Sequence, residues 1–157
     1  MREGATGAAV ADEATIFTIG YEQRSVADLI TILRENGIRR LVDVRLTPWS
    51  RRPDFCMKRL MASLDGAGIC YEHCGVLGNP PEIRELYRAG DSEAGEQWFR
   101  EHLQANARPA VDDLAHVTAH EPVALLCLER DHRLCHRSVV AAFTAERSEN
   151  PLVIRHL

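Results

Sequence analysis

Apolar positions along the chain fall into short β-rich runs separated by helical stripes. The strand-like runs cover residues 16–20, 40–45, 69–73, 123–128 and 152–154. Between them, apolar residues spaced three and four positions apart predict helices, and the first of these follows Ser25, a good N-cap. Strands that alternate with helices build parallel sheets through right-handed crossovers. The pattern therefore predicts an α/β fold, a three-layer single domain with a mostly parallel sheet and helices on both faces.

Further helical patterns cover residues 55–64, 82–120 and 137–147, and the second is broken at Gly90 and Pro109. The run 123–128 is the most hydrophobic strand, which favours a place at the centre of the sheet. The first thirteen residues are small, polar and glycine-bearing. We therefore expect a flexible tail over residues 1–14 and one domain over residues 15–157.

The composition is ordinary for a globular protein of 157 residues, with 45% hydrophobic and 27% charged residues. A chain of this length buries a sufficient core, so folding is expected to need no metal. No apolar run approaches the ~20 residues that span a bilayer, and nothing points to a signal peptide. Five cysteines, an odd number, indicate reduced thiols, and we expect a cytoplasmic protein without a membrane partner. The net charge of −4 excludes a generally basic nucleic-acid binder but allows a local basic patch.

Most of the chemically capable side chains follow the predicted strands. Four loops lead away from the strand ends, at residues 20–22, 43–52, 73–74 and 129–137. Ligands of open parallel sheets bind at the carboxyl ends of the strands. We therefore expect these four loops to form one site.

The loop after the second strand is strongly basic. Residues 39–52 contain five arginines and one aspartate, a local charge of +4. Asp43 and Arg45 alternate with valines, so they share one face or the end of the sheet. Convergent guanidinium groups bind phosphate or carboxylate, and we expect Arg45, Ser50 and Arg51 to bind an anion. The alternative is a solvated loop with one structural Asp43–Arg45 pair.

The segment between the central strand and the last helix carries a candidate nucleophile. Cys135 lies at or just before the helix start, where free backbone amides and the helix dipole stabilise a thiolate. The charges of His132, His136 and Arg137 favour the thiolate further. Glu129 leaves the strand end and is a candidate general acid, general base or nucleophile. The alternative roles of Cys135 are packing, capping or sensing oxidation without turnover.

Two narrower interpretations apply to the same segment. Cys127 and Arg133 match the C-x5-R spacing of thiol phosphatases, but the loop lacks glycine and its acids repel phosphate. Otherwise Cys127 is a buried structural cysteine. A zinc site has suitable ligand types in Cys127, His132, Cys135 and His136, with Cys74 as a further candidate. Because paired C-x2-C spacing is absent, we expect no metal and no cofactor.

Several motifs stand in order along the chain. They are Thr18-Ile-Gly-Tyr21, Leu41-Val-Asp-Val-Arg45 with Pro48 and Ser50-Arg51, Gly68-Ile-Cys-Tyr71, Leu77-Gly78, and Leu125-Leu-Cys-Leu-Glu129 with Cys135-His-Arg137. From about residue 15 to residue 157, this set resembles the bacterial domain-of-unknown-function family 488. Many members have a histidine where this chain has Tyr21, which cannot act as an acid or base near neutral pH. The usual glycine pair is Gly78-Asn79 here.

The resemblance implies a cytoplasmic α/β domain whose motif residues gather at one site. It implies no established reaction, and it carries a weak association with DNA repair.

From these residues we expect an enzyme, either a hydrolase or a transferase, that acts on an anionic, phosphate-bearing substrate. A nucleotide or a nucleic-acid end fits this description. The candidate catalytic residues are Asp43, Glu129 and Cys135. The candidate substrate-binding residues are Tyr21, Arg45, Ser50, Arg51, His136 and Arg137. The alternative is a non-catalytic module that binds a nucleotide or nucleic acid through the basic stretch, Trp49 and Tyr21. The sequence gives no indication of the oligomeric state.

Overall fold

The computed structural model describes residues 13–157, so most of the expected tail over residues 1–14 lies outside the described residues. Within them, five strands form a sheet: β1 (Thr15–Gly20), β2 (Arg40–Asp43), β3 (Cys70–His73), β4 (Val123–Cys127) and β5 (Val153–His156). The helices are α1 (Val26–Glu35), α2 (Met57–Gly66), α3 (Pro81–Arg88), α4 (Ser92–Asn106), α5 (Arg108–Thr118) and α6 (Arg137–Arg147). Short 3-10 turns cover Pro53–Phe55, Gly75–Leu77 and His132–Leu134.

The strands pair in parallel, in the order β3-β2-β4-β1-β5. β4 is the central strand, and all of its residues are buried. Its Leu125 lies beside Thr18 on one side and beside Val42 on the other. A strand that is covered on both faces can be apolar at every position. The prediction that the most hydrophobic run lies at the centre of the sheet is therefore confirmed.

Helices cover both faces of the sheet. On one face, α1 and α2 pack against side chains such as Ile19 and Leu41. On the other face, α3, α4, α5 and α6 pack against Ile16, Val42 and Leu125. Neighbouring residues of a strand point to opposite faces, so β1, β2 and β4 each contribute to both cores. The predicted three-layer α/β architecture is confirmed.

The helix boundaries follow local signals in the sequence. Ser25 Oγ accepts from the backbone of Asp28, whose carboxylate accepts from the backbone of Ser25, and this capping box starts α1. The long helical pattern divides at Gly90, as expected, and again between α4 and α5. Pro109 lies inside the first turn of α5 rather than at the break, because a missing N–H removes no hydrogen bond there. Of the described helices, none is long and apolar enough to cross a membrane.

Two glycines allow loops to cross closely at the carboxyl ends of the strands. A Cβ at Gly20 would collide with the carbonyl of Glu129, and a Cβ at Gly78 would collide with the backbone of Leu46. These contacts hold the loop after β4 against the end of β1, and the loop after β3 against the loop after β2. The loops after β2, β3 and β4 and the end of β1 therefore lie at the same end of the sheet.

Candidate functional site

A cavity of about 690 Å³ opens at the carboxyl ends of β1, β2 and β4. The loops after these strands line it, together with α3 and the segment before α6. The lining residues are Tyr21, Arg45, Leu46, Thr47, Trp49, Asn79, Arg84, Tyr87, Arg88, Cys127, Leu128, Glu129, Leu134, Cys135 and His136. Because parallel sheets bind their ligands at this end, the cavity is the candidate site.

The Asp43 carboxylate holds Arg45 at the cavity wall. Arg45 Nε donates to Oδ1 at 2.8 Å, and Arg45 Nη2 donates to Oδ2 at 2.6 Å. The Tyr71 hydroxyl also donates to Oδ2, at 2.6 Å, and the backbone N–H of Arg45 donates to Oδ1 at 3.1 Å. Asp43 is fully buried, and these bonds compensate for the loss of water around its charge. Asp43 therefore orients Arg45 and does not itself line the cavity.

The protonation states of the partners agree with this arrangement. Burial opposes the charge of Arg45, but the hydrogen bonds and the charge of Asp43 raise its pKa above the ordinary value. Burial and the bond to Asp43 raise the pKa of the Tyr71 phenol. Arg45 is therefore charged and Tyr71 is neutral, so both act as donors to the carboxylate.

The remaining nitrogen of the Arg45 guanidinium, Nη1, is left for the cavity. Its partners are the Tyr21 hydroxyl at 3.4 Å and the Trp49 carbonyl at 3.5 Å, both at the long limit of a hydrogen bond. Tyr21 is buried and stacks on Phe55 with ring centroids 4.4 Å apart, which fixes its hydroxyl. Arg45 Nη1 can therefore donate to an incoming anion without breaking a strong bond.

Helix α3 adds two arginines to the cavity wall. Arg84 Nη2 donates to the carbonyl of Asn79 at 3.3 Å, and Arg88 pairs with Glu85 at 2.7 Å. Asn79 is buried, and its Oδ1 has no hydrogen-bond partner within the described chain. The sequence reasoning missed these lining residues because α3 belongs to an acidic helical segment that is typical of a solvated face. The Gly78-Asn79 motif, which lies just before α3, was the sequence signal that could have indicated this part of the cavity wall.

Two thiols and an imidazole meet at another part of the wall. The sulfurs of Cys127 and Cys135 each lie 3.8 Å from His136 Nδ1. His136 Nε2 lies 2.8 Å from the carbonyl oxygen of Val44. A carbonyl only accepts, so this nitrogen carries a proton and Nδ1 faces the sulfurs. The end of β4 and the start of α6 fix the positions of these side chains.

Burial, hydrogen bonds and charges within this group shift the pKa values of all three residues. Burial opposes a charged Cys135, yet the hydrogen bond from Cys127 and the charges of His136 and Arg137 lower its pKa well below the ordinary value. The bond to Cys135 and burial raise the pKa of Cys127. Burial opposes protonation of His136, but the neighbouring charge of Cys135 raises its pKa. These shifts favour the thiolate form of Cys135 and the thiol form of Cys127.

Glu129 is the single carboxylate among the described residues that line the cavity. The Cys127 thiol lies 3.5 Å from Glu129 Oε2. Burial, followed by the charge of Cys135, raises the pKa of Glu129 to about 7. A carboxyl group with this pKa exchanges protons near neutral pH.

Arg137 is fully buried behind the cavity wall. Its Nη1 donates to the carbonyl of Glu129, and its Nη2 donates to the carbonyl of Arg130 at 3.2 Å. Its Nε has no partner among the described residues. Arg137 therefore supports the backbone of the loop after β4, and its guanidinium does not line the cavity.

Ser50 and Arg51 also lie off the cavity wall. Ser50 Oγ accepts from the backbone of Arg52 at 3.1 Å, and Arg51 is exposed. Arg52 instead donates to the carbonyls of Tyr21, at 3.2 Å, and Arg24. The basic loop is thereby attached to the loop after β1. Of the predicted site residues, the structure brings together Tyr21, Arg45, Glu129, Cys135 and His136.

Of the residues in the two narrower interpretations, Cys127, Cys135 and His136 belong to this part of the cavity wall, whereas Arg133, His132 and Cys74 lie apart from it. Arg133 pairs with Asp131 at 2.8 Å, and its side chain is 78% exposed. The His132 ring stacks on His156, with centroids 3.6 Å apart. Cys74 does not line the cavity, and it does not belong to the cluster of Cys127, Cys135 and His136. The C-x5-R spacing therefore does not place Arg133 beside Cys127 in a phosphate cradle.

Comparison with known proteins identifies the family of the chain. The family model named Domain of unknown function DUF488 matches residues 25–144. A search of curated proteins and a search of solved structures each found no match. The matched range extends from the start of α1 into α6 and includes Arg45, Glu129, Cys135 and His136. It covers well over half of the chain, and the resemblance seen in the motifs is confirmed. The chain belongs to the DUF488 family.

Proposed function

We propose that the cavity is the active site of an enzyme that acts on a small phosphate-bearing substrate of the nucleotide class. The position of Arg45 carries this proposal. Asp43 binds one edge of the buried guanidinium, and Nη1 remains at the cavity wall with two long hydrogen bonds. An arginine that is already oriented loses little rotamer freedom when it binds phosphate oxygens.

The charge around the cavity supports an anionic ligand. Three arginines, Arg45, Arg84 and Arg88, line it together with one carboxylate, that of Glu129, so the arginines outnumber the carboxylates by three to one. Arg84 and Arg88 extend from a single helix turn of α3 and can adjust to the ligand. Several guanidinium groups around one concave surface provide the planar, bidentate contacts that phosphate prefers.

An apolar rim supports a substrate that carries a flat, uncharged part beside the phosphate. Trp49 is 62% exposed and Leu134 is 56% exposed, and both line the cavity. Exposed apolar side chains gathered at one opening mark a binding surface, and an indole ring stacks on a nucleobase. Asn79 offers a buried amide oxygen with no partner among the described residues, which can accept from an amino or hydroxyl group.

Glu129 is the proton-transfer group of the proposed reaction. It lines the same cavity as Arg45, so a substrate held through its phosphate lies against both side chains. In a hydrolysis, water attacks the electrophilic centre while the carboxylate accepts one of its protons. The leaving group departs with the bonding electron pair and takes up that proton from Glu129. Cys135 offers a second route, in which its sulfur attacks the electrophilic centre and expels the protonated leaving group. Water then breaks the bond to sulfur and regenerates the thiol.

Binding is tested by calorimetric titration with inorganic phosphate, a nucleoside monophosphate and the matching nucleoside. We expect the monophosphate to bind most tightly, because it uses the arginines and the apolar rim together. Arg84→Ala should weaken its binding about 10- to 150-fold, the range for hydrogen bonds to a charged group. Arg59→Ala is the matched control, since Arg59 is exposed and pairs with Asp54 away from the cavity. The proposal is contradicted if both substitutions weaken monophosphate binding equally, or if neither weakens it.

Turnover is tested by following the release of phosphate or base from a panel of nucleotides. Glu129→Gln should abolish turnover and retain binding. Turnover that is retained by Cys135→Ser would exclude the thiol route. Binding by the wild type without turnover of any nucleotide would instead indicate the non-catalytic module. In that case, affinity for single strands should fall with salt, with a slope of about −0.7 for each phosphate contacted.

A further inference from the structure

The cluster of Cys127, Cys135 and His136 has the dimensions of a metal site. Both sulfurs lie 3.8 Å from His136 Nδ1, and the three donor atoms lie within 4.8 Å of one another. Zinc bonds of about 2.3 Å to sulfur and about 2.0 Å to nitrogen, at a tetrahedral angle, separate these atoms by about 3.5 Å. One ion fits between the three side chains with small movements of the sulfurs.

We propose that Cys127, Cys135 and His136 bind one Zn²⁺ ion whose fourth coordination position is open to the cavity. Thiolate and imidazole are ligands that zinc prefers. All three residues line the cavity, so a water molecule or a substrate atom can reach the fourth position. Three protein ligands and one open position are typical of catalytic zinc, whereas structural zinc has four protein ligands.

The surroundings of His136 support its role as a ligand. Its Nε2–H donates to the carbonyl of Val44 at 2.8 Å, which directs the lone pair of Nδ1 towards the sulfurs. The ring lies perpendicular to that of Phe99, with centroids 5.2 Å apart. Histidine ligands of metals usually donate their other N–H in this way, which fixes the tautomer and the ring orientation.

The charge balance also favours the ion. Cys127 and Cys135 are buried, and two buried thiolates without a counter-ion are costly. Two thiolates and one Zn²⁺ sum to zero, so the complete site buries no net charge. Binding releases into solvent any proton that the sulfurs carry in the metal-free cluster.

Zinc in this position deepens the proposed reaction, and this role rests on the proposed function. The ion would hold the attacking water at the fourth position and make it more acidic. Glu129 lies beside Cys127 at the same wall and would accept the proton of that water. Cys127 and Cys135 then act as ligands, and the thiol route is closed.

The sequence includes these three residues among its zinc candidates, but their spacing argued against a metal site. The three ligands have C-x7-C-H spacing, which lacks the paired C-x2-C of closed zinc sites. His132 is nearer to Cys135 in sequence than Cys127 is, yet it stacks on His156 instead. The fold brings Cys127 to the cluster because the loop after β4 returns to the cavity before α6 begins.

The site is tested with tag-free protein that is reduced, stripped of metal and titrated with Co²⁺ under anaerobic conditions. We expect one equivalent to bind with the visible bands of tetrahedral Co²⁺ and the near-ultraviolet bands of thiolate ligands, and one equivalent of Zn²⁺ to displace it. X-ray absorption of the zinc-loaded wild type should show two sulfur ligands at about 2.3 Å and one histidine nitrogen at about 2.0 Å. This measurement needs no variant.

The variants and their controls complete the test. Cys135→Ser and His136→Gln should each weaken Zn²⁺ binding about 100-fold or more, whereas Cys70→Ser and Cys74→Ser should leave it unchanged. Absence of a tetrahedral spectrum in the wild type, or equal losses in Cys74→Ser and Cys135→Ser, overturns the metal site. Arg84→Ala should retain Zn²⁺ and lose phosphate affinity, so failure of the metal site is distinguished from failure of the proposed function.

Discussion

Asp43 and Arg45 form a two-point ion pair at the end of β2, with Nε–Oδ1 and Nη2–Oδ2 distances of 2.8 and 2.6 Å. The pair is local in sequence, but a third residue completes it, since the Tyr71 hydroxyl from β3 also bonds to Asp43. Both oxygens of the carboxylate are thus occupied by Arg45 and Tyr71. Of these three residues, only Arg45 lines the cavity. A lysine cannot replace this arginine, because one ammonium group cannot bind the carboxylate at two points and still donate outward.

Asp43→Ala should destabilise the fold because it leaves the Arg45 guanidinium buried without its partner. Removal of one partner of a buried ion pair costs about 3–5 kcal/mol. We expect urea denaturation to show a loss of this size in the free energy of unfolding. The same variant should lose phosphate affinity, since Arg45 is no longer oriented.

Tyr71→Phe is the matched control for that substitution. It removes one hydrogen bond to the carboxylate and keeps the ion pair, so the loss should be about 1.5 kcal/mol. Phosphate affinity should stay close to that of the wild type. Equal losses of stability in the two variants would show that the ion pair does not carry the effect.

Gly20→Ala should displace the loop after β4 and thereby disrupt the site. A methyl group at this position collides with the backbone of Glu129 and Arg130, which cannot move aside as a flexible side chain can. We expect a loss of about 3 kcal/mol, at the upper end of the range for overpacking, with reduced Zn²⁺ affinity because the loop after β4 is displaced. Gly66→Ala should be tolerated, since nothing lies within 4 Å of a Cβ there. A fully stable Gly20→Ala variant would contradict the close approach of the two loops.

The sequence predicts the fold well because the apolar periodicity and the helix-capping residues indicate the same elements. The apolar run at residues 123–128 specifies the central strand, and Ser25 with Asp28 specifies the start of α1. The rule that ligands bind at the carboxyl ends of parallel strands then locates the cavity and five of its lining residues. These features depend on local sequence or on topology alone.

Features that depend on side-chain packing escaped the prediction. Arg84 and Arg88 lie on an exposed helix, and only the position of α3 beside the sheet turns them towards the cavity. Arg137 was expected at the anion because it could turn towards the loop that carries Arg45 and Arg51. It is fully buried instead, and its donors satisfy two carbonyls. The distance between Cys127 and His136 depends on the path of an irregular loop, which periodicity does not describe.

Arg137→Met should lower stability and leave the arginines of the cavity in place. The methionine side chain retains much of the apolar contact but cannot donate to the carbonyls of Glu129 and Arg130. Two hydrogen bonds from a charged group are lost, and we expect a decrease of about 3 kcal/mol in the free energy of unfolding. Arg51→Ala, an exposed arginine of the basic loop, should change stability by less than about 0.5 kcal/mol. A loss of phosphate affinity without a loss of stability would instead indicate direct contact between Arg137 and the ligand.

The stability of the fold should fall as the pH drops from about 6.5 to about 4, and His156 should contribute to this loss. Partial burial, the stacked His132 ring and the charge of Arg137 lower the pKa of His156 to about 4. In the unfolded chain a histidine takes up its proton near pH 6.5. Between these values the unfolded state binds the extra proton, so unfolding becomes more favourable as the pH falls, and the contribution is fully lost below about pH 4. His156→Gln should therefore flatten the dependence of the unfolding midpoint on pH in this window. His120→Gln replaces an exposed histidine just after α5 and should retain the pH dependence of the wild type. Identical profiles for the two variants would exclude His156 as the source of this dependence.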